Sequence, residues 1–223
     1  MSDVVQSVLR SRRRRAGDRM ALAAVRYAAM GWPVCPGAYP PGRPRRASER
    51  ACSCDRIGCP APGAHPISPT WQLQASSDPQ QVGRLWKATP EANVILVTGR
   101  VFDVLDVPAK VGTAALARLD RARIRPGPVA ISAGNRAYFF VLTRGAPADE
   151  DEWWSCRLDC APEIIEEVAG LRWHTRDSYV LAQPSRYGSG QAARWVRDPA
   201  ASPLPDSVRL LEVLADVCED VSP

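Results

Sequence analysis

Three cysteines and one histidine crowd residues 52–65 of this 223-residue chain, in the order Cys52, Cys54, Cys59 and His65. Three thiolates and an imidazole are the donor set that tetrahedral zinc prefers, since soft sulfur and nitrogen suit a closed structural site. The spacings let one loop wrap one ion, and Gly58, Pro60, Pro62 and Gly63 supply the tight turns. A segment this polar cannot order itself by burial, so a metal takes the place of a core. All four positions are filled and no general base stands nearby, which predicts a structural rather than a catalytic ion. Cys35 is a spare ligand upstream. The plainer alternative is a set of free thiols in an unstructured insertion. The chain has seven cysteines in all. In a reducing compartment they argue for metal binding or burial, not disulfides.

The second chemical signal is charge. The net charge is +5, and Arg10, Arg12, Arg13, Arg14, Arg15, Arg19 and Arg26 crowd the start, with Arg43, Arg45, Arg46 and Arg50 soon after. Such an arm can neutralise phosphates and release their counterions; a solvated tail is the bland alternative. Lys87 and Lys110 are the only lysines, so a compositional bias toward Arg accounts for part of the pattern. No run of about 18 apolar residues exists, which predicts no membrane span. No apolar signal core follows the basic start, so a cytoplasmic protein is expected. There is no P-loop pattern.

The elements that must position these groups read as follows. Residues 1–17 form a basic arm or frayed helix. From Asp18, read as a cap, Met20, Leu22, Ala23, Val25, Ala28, Ala29 and Trp32 make a helical stripe ended by Gly31 and Pro33. Pro33 to Pro36 is a short strand. Residues 36–70 are an irregular insertion that needs a staple. Asp78 caps a helix near 78–88 with Pro79 at its first position. Asn93 to Thr98 and Val101 to Val107 read as adjacent strands of one sheet. A helix near 110–122 and a hairpin, Pro128 to Ser132 with Arg136 to Leu142, come next. Glu163 to Val168 is strand or helix. Ser178 to Ala182 and Arg194 to Val196 are strands, and Asp206 to about Glu219 is an amphipathic helix. The sum is α+β with about seven strands. The expected organisation is a basic arm (1–17), one domain (18–200, with the zinc loop at about 36–70) and a C-terminal helix packed on it (201–223).

The order Gly31-Trp32-Pro33-Val34, Cys52-Ser53-Cys54, Cys59, Gly63-Ala64-His65-Pro66, and Ser77-Asp78-Pro79 with Trp86 resembles the bifunctional DNA primase/polymerase N-terminal domain. The likeness continues through Asn93-Val94, Thr98-Gly99, Val104-Leu105-Asp106-Val107, Gly134 to Phe139, and Ser178 to Ser185, with Gly188 and Trp195. It implies an archaeo-eukaryotic primase-like primase–polymerase fold: a small N-terminal αβ unit and a sheet like that of an RNA-recognition motif, with a catalytic cleft between them. Active members hold two divalent metals, Mg or Mn, on carboxylates, which clamp the attacking and leaving oxygens of phosphoryl transfer.

That resemblance assigns Asp106 to the first position of an Asp-x-Asp metal motif, but Pro108 occupies the second. Asp103 is the lesser candidate; an odd separation sends it to the opposite face of a regular strand, and only a bulge would rescue it. Arg136 stands where the family carries a nucleotide-binding His, two residues before Tyr138-Phe139, and Arg can still hold a triphosphate. Arg172 stands where a third carboxylate is expected; Asp177 is the nearest acid. Ser185 and Arg186 are candidates for a phosphate. Trp153, Trp154, Trp173 and Trp195 either stack on bases or fill the core. His174 binds phosphate or serves structure. Glu150, Asp151, Glu152, Glu163, Glu166 and Glu167 are replacement ligands or solvated faces.

Three functions are consistent with these residues. The first is a primase–polymerase-like domain that binds DNA, other nucleic acid or nucleotide through a degenerate metal site. The second is an active nucleotidyltransferase that uses unusual ligands such as Asp103 or Asp177. The third is a non-catalytic module for a separate replication or regulatory protein, because fold does not fix function.

Overall fold

The computed structural model describes residues 2–41, 52–54, 56–132, 134–143, 163–164, 168 and 170–221. The side chains of Arg10, Arg12 and Arg13, the residues Arg43, Arg45, Arg46 and Arg50, the acids Glu150 to Glu152, Trp153, Trp154, Glu166 and Glu167 lie outside what is described, as does the Glu163 side chain. The chain is mixed helix and sheet, as expected, and it divides into two units, each made of two stretches of chain. Unit 1 is Met1–Leu96 with Leu181–Ala192; unit 2 is Val97–Val180 with Ala193–Pro223. Among the described residues no helix is long and apolar enough to cross a membrane.

Unit 1 begins with helix α1, Ser2–Ala29. The helix runs straight through the expected boundary at residue 17, and Asp18 is an interior residue rather than a cap. Arg and Ala are strong helix formers, so the basic segment needs no separate state. Met20, Ala24, Tyr27 and Ala28 form the buried stripe, whereas Leu22 is exposed. Gly17 sits where an added Cβ would meet the Pro90 carbonyl oxygen at 3.1 Å. At the other end Gly31 takes a left-handed φ of 81°, and the Trp32 N–H reaches back to the Tyr27 carbonyl at 3.1 Å, a C-terminal cap that favours glycine. Helix α2 is Trp71–Gln74. Helix α3, Pro79–Ala88, starts as read: the Asp78 carboxylate accepts the Gln80 N–H at 2.8 Å. Its Val82 and Trp86 point inward.

A three-stranded sheet has the order β1-β2-β8, from β1 (Val34–Gly37), β2 (Asn93–Val97) and β8 (Tyr179–Leu181). The chain passes between the units three times, after Leu96 in β2, after Val180 in β8 and after Ala192. This corrects the expectation that residues 93–98 and 101–107 pair with each other. β2 pairs with β1, and residues 102–108 belong to another sheet. Gly99, at φ 80°, turns the chain there and donates its N–H to the Phe102 carbonyl.

Unit 2 holds the other six strands: β3 (Phe102–Pro108), β4 (Val129–Ile131), β5 (Arg136–Leu142), β6 (Glu163–Ile164), β7 (Arg172–His174) and β9 (Arg194–Arg197). They are ordered β6-β7-β3-β5-β4-β9, and the pairings among the described residues are antiparallel. The described residues thus carry nine strands against about seven expected. β7 went unread, and residues 163–164 resolve as strand. Helices α4 (Ala109–Arg121) and α5 (Ser207–Val221) cover one face. Leu105, Val107, Ala137, Phe139 and Val141 from the sheet meet Val111, Ala115, Leu119, Leu210, Leu214 and Val217 from the helices. Each of the Val, Leu and Phe side chains among them, fully buried, contributes about 1.5–3 kcal/mol. Gly112 lets α4 close on β5: an added Cβ would stand 2.3 Å from the Ala137 Cβ. The alternation that sends these residues to the helices sends Val104, Asp106, Tyr138 and Phe140 to the other face. There Phe140 packs on Phe102 at 5.3 Å and on Trp195 at 5.0 Å between ring centroids.

Candidate functional site

In unit 1 the loop between β1 and α2 brings Cys52, Cys54, Cys59 and His65 together. Their ligand atoms all lie within 4.8 Å of one another. Cys52 Sγ is 3.4 Å from His65 Nε2, and both residues are buried. His65 Nδ1 lies 2.7 Å from the Pro66 carbonyl oxygen. A carbonyl only accepts, so Nδ1 carries the proton and the Nε2 lone pair faces the sulfurs. The Gly63 N–H donates to Cys52 Sγ at 3.3 Å. Outer partners of this kind orient metal ligands. The Cys59 thiol is pushed up to about 11, first by burial and then by the neighbouring Cys54 and Cys52 sulfurs, against help from the Ala61 backbone. For Cys54 burial works against ionisation, but hydrogen bonds from the Arg56 backbone and the neighbouring thiols, with the Arg56 charge, bring the net shift down. Sulfurs this close cannot all be thiolates without a cation among them. The four residues therefore fit a tetrahedral ion. Cys35 faces Ile95 across β1 and β2 and is not one of the group.

The loop is seated by one side chain. Asn93 donates through Nδ2 to the Gly63 carbonyl at 2.7 Å and the Arg186 carbonyl at 2.6 Å, and its Oδ1 accepts the Arg186 N–H at 3.0 Å. The Gly188 N–H adds a bond to the Pro62 carbonyl at 2.8 Å. Ser185 is fully buried; its hydroxyl accepts the Val94 N–H and donates to the Val94 carbonyl. It fastens strand β2 and presents nothing to a phosphate. The Arg186 side chain is exposed. This role for Asn93, Ser185 and Arg186 was invisible in the sequence, because it joins positions up to 93 apart.

In unit 2, Asp106 is buried at the middle of the sheet. The register of β3 on β5 is unbroken from Phe102↔Leu142 to Pro108↔Arg136. No bulge intervenes, so Asp103 points to the opposite face, as the odd separation predicts. Asp106 pairs directly with Tyr138 on one side and Arg172 on the other, and opposite residues of antiparallel strands share a face. Arg136 and His174 are its diagonal neighbours. The Arg136 guanidinium folds onto it: Nε donates to Asp106 Oδ1 at 2.7 Å, and one terminal nitrogen donates to the Asp106 carbonyl at 2.9 Å and the Gly170 carbonyl at 2.7 Å. His174 Nε2 stands 3.5 Å from Asp106 Oδ2, its Nδ1 2.9 Å from Ser178 Oγ, and its ring meets Tyr138 edge-on at 5.8 Å. Gly170, at φ 83°, lies against Pro108; an added Cβ would meet the proline ring at 3.3 Å.

The structure thus brings Asp106 and Arg136 together, places His174, read from the sequence as a phosphate or structural group, beside Asp106, and adds the Gly170 carbonyl, which sequence reasoning left out. Arg172 is exposed, and Asp177 sits at a left-handed turn, φ 58°, between β7 and β8. Ser185 and Arg186 belong to unit 1, Asp106 and Arg136 to unit 2.

Compared with protein families, residues 24–207 match bifunctional DNA primase/polymerase, N-terminal. Comparison with individual curated proteins gives no match.

Proposed function

This chain belongs to the bifunctional DNA primase/polymerase N-terminal family, and on that premise we propose that it is a member that binds nucleic acid or nucleotide without extending strands. One observation carries the reading: the carboxylate expected to hold a catalytic cation is held by the Arg136 guanidinium at 2.7 Å. Two-metal nucleotidyl transfer needs several carboxylates converging on one patch. Positions 106, 108 and 172 share one face of β3 and β7, but Pro108 and Arg172 bring no acid. Pro108 packs on the Gly170 turn whose carbonyl takes Arg136, so the two departures support each other. A cation at 172 also repels a divalent ion. When bound, Mg or Mn would supply charge neutralisation at the transferred phosphate; of the family's carboxylate positions, Asp106 alone retains its acid.

The antiparallel sheet of unit 2, with two helices on one face, supports the primase-like, RNA-recognition-motif-like architecture. The Cys52, Cys54, Cys59 and His65 set is a structural zinc site that staples unit 1. Arg14, Arg15 and Arg19, all exposed on α1, are the phosphate contacts. DNA is the natural ligand class, and a separate replication protein supplies any synthesis.

Primer extension with the full chain and Mg²⁺ or Mn²⁺ tests this. The expected result is no incorporation, together with single-strand binding that weakens with salt at a slope of about 0.7 per phosphate contact. Replacing Pro108→Asp, Arg136→His and Arg172→Asp together should create Mn²⁺ binding. Robust incorporation by the unmodified chain, lost in Asp106→Ala, would overturn the reading. Salt-independent indifference to DNA would instead favour a protein-interaction module.

A further inference from the structure

On the helix-covered side of unit 2 the loop after α4 and the start of α5 border an open depression of about 310 Å³, lined by Ala122, Arg123, Ile124, Arg125, Pro205, Asp206, Arg209 and Leu210, with its four charged side chains exposed. Two nearby arginines of this unit are matched by acids: Arg118 bridges Asp216 at 2.9 Å and Asp220 at 3.6 Å, and Arg197 bridges Asp120 at 3.1 Å. Arg123, Arg125 and Arg209 carry no such bridge among the described residues. Asp206 is the one acid of the lining, and its Oδ1 is engaged by the Val208 N–H at 2.9 Å. Three guanidinium groups and one carboxylate leave the lining with two positive charges in excess.

Arg123 is also held in an unusual way. It follows the last turn of α4 at φ 55°, with the Ile124 N–H bonded back to the Leu119 carbonyl at 2.9 Å. That is the left-handed position after a helix, where glycine is the ordinary residue and a side chain adds strain. The adjoining backbone is closely packed. Gly127, at φ 73°, lies so close to Pro205 that an added Cβ would meet its ring at 2.3 Å, and the Leu142 N–H fixes the Pro205 carbonyl at 2.9 Å.

We propose that this depression binds a phosphomonoester. Its excess of two positive charges matches a phosphate dianion, its guanidinium forks match phosphate oxygens, and Ile124, Pro205 and Leu210 offer an apolar floor for the group the phosphate carries. The volume, at the lower end of ligand pockets, admits one nucleotide-sized molecule. The site lies on the sheet face away from Asp106 and stands independently of the reading given for that residue.

The test uses the full chain and four probes: inorganic phosphate, a deoxynucleoside monophosphate, the unphosphorylated nucleoside, and a single-stranded oligonucleotide with a terminal phosphate. Titration calorimetry and amide chemical shifts follow each. The monophosphate should bind at least tenfold tighter than the nucleoside and shift the amides of residues 122–125 and 207–210. Arg209→Glu should weaken it tenfold or more. Arg123→Gly should weaken it severalfold while leaving the thermal midpoint unchanged or higher, an opposition that a merely structural Arg123 would not give. Arg84→Glu, at an exposed arginine of unit 1, should leave it unaltered. An oligonucleotide that binds tighter than the monophosphate, and is weakened by the same two variants, identifies a strand end as the source; equal affinity identifies a free nucleotide. Equal affinity for nucleoside and monophosphate, or phosphate binding untouched by Arg209→Glu, overturns the proposal.

Discussion

Removing Arg136 tests whether the guanidinium truly holds Asp106. In Arg136→Ala the Asp106 carboxylate, whose side chain is 3% exposed, loses its 2.7 Å donor. The carbonyls of Asp106 and Gly170 lose theirs as well. His174 Nε2, at 3.5 Å, is too far to replace a bonded cation in the same geometry. Breaking a buried pair from one side costs about 3–5 kcal/mol, because a charge is left uncompensated. In a chain of this size each kcal/mol moves the midpoint by roughly 2–4 °C, so unit 2 should melt roughly 6–20 °C lower. Asp106→Asn in the same background removes the stranded charge and should recover about 1–3 kcal/mol of the loss. Scanning calorimetry of the three variants gives the cycle. A fall of less than about 2 °C for Arg136→Ala would equate the pair with a solvated surface bridge. Asp106 would then be available to another cation, and the argument for a silenced site would fail.

Chelation should act on one unit and spare the other. Chelating the metal proposed for Cys52, Cys54, Cys59 and His65 should abolish hydrogen-exchange protection at the Gly63 and Gly188 amides while strands β3 and β5 keep theirs. The linked loss is about 2.7 kcal/mol relative to a free metal level one hundred times Kd; uniform loss across both units would contradict it. Cys218, on α5, has a thiol raised by burial, with the Arg136 charge opposing. The folded chain therefore keeps this proton to higher pH than the unfolded chain, where a thiol titrates at about 8.5. Stability should fall as pH rises through that value. Cys218→Ala should flatten the slope in denaturation curves between pH 8 and 10, and an unchanged slope would refute the linkage.

Much of this was legible before any fold was seen. The zinc-type donor set announces itself because its ligands are close in sequence and chemically unusual. Asp78 and Pro79 mark a helix start because capping is local. The parity argument separating Asp103 from Asp106 needs nothing beyond strand geometry. What failed was non-local. The runs 93–97 and 102–108 look like neighbours because both are apolar, yet hydrophobicity does not say which partner a strand takes, and Gly99 sends them to different sheets. Arg136 could be recognised as a cation near a nucleotide site, but its engagement with Asp106 depends on a register linking residues 30 apart. Arg172 and His174 acquire meaning only once β7, a strand of three residues, is placed beside β3.

Neither unit is a continuous stretch of chain, and this sets an order on biosynthesis. Unit 1 closes with Leu181–Ala192, so its first 96 residues leave the ribosome well before their last segment is made. At 5–20 residues per second that interval is roughly 5–20 s. During it the thiols at 52, 54 and 59 are outside, but the Gly188 amide and Arg186 backbone that seat their loop do not yet exist. The nascent chain meets metal with a ligand set whose anchorage is still to be translated, so ion capture can precede the tertiary structure it stabilises. A chain cut short before residue 181 would keep all four ligands and lose the platform beneath them.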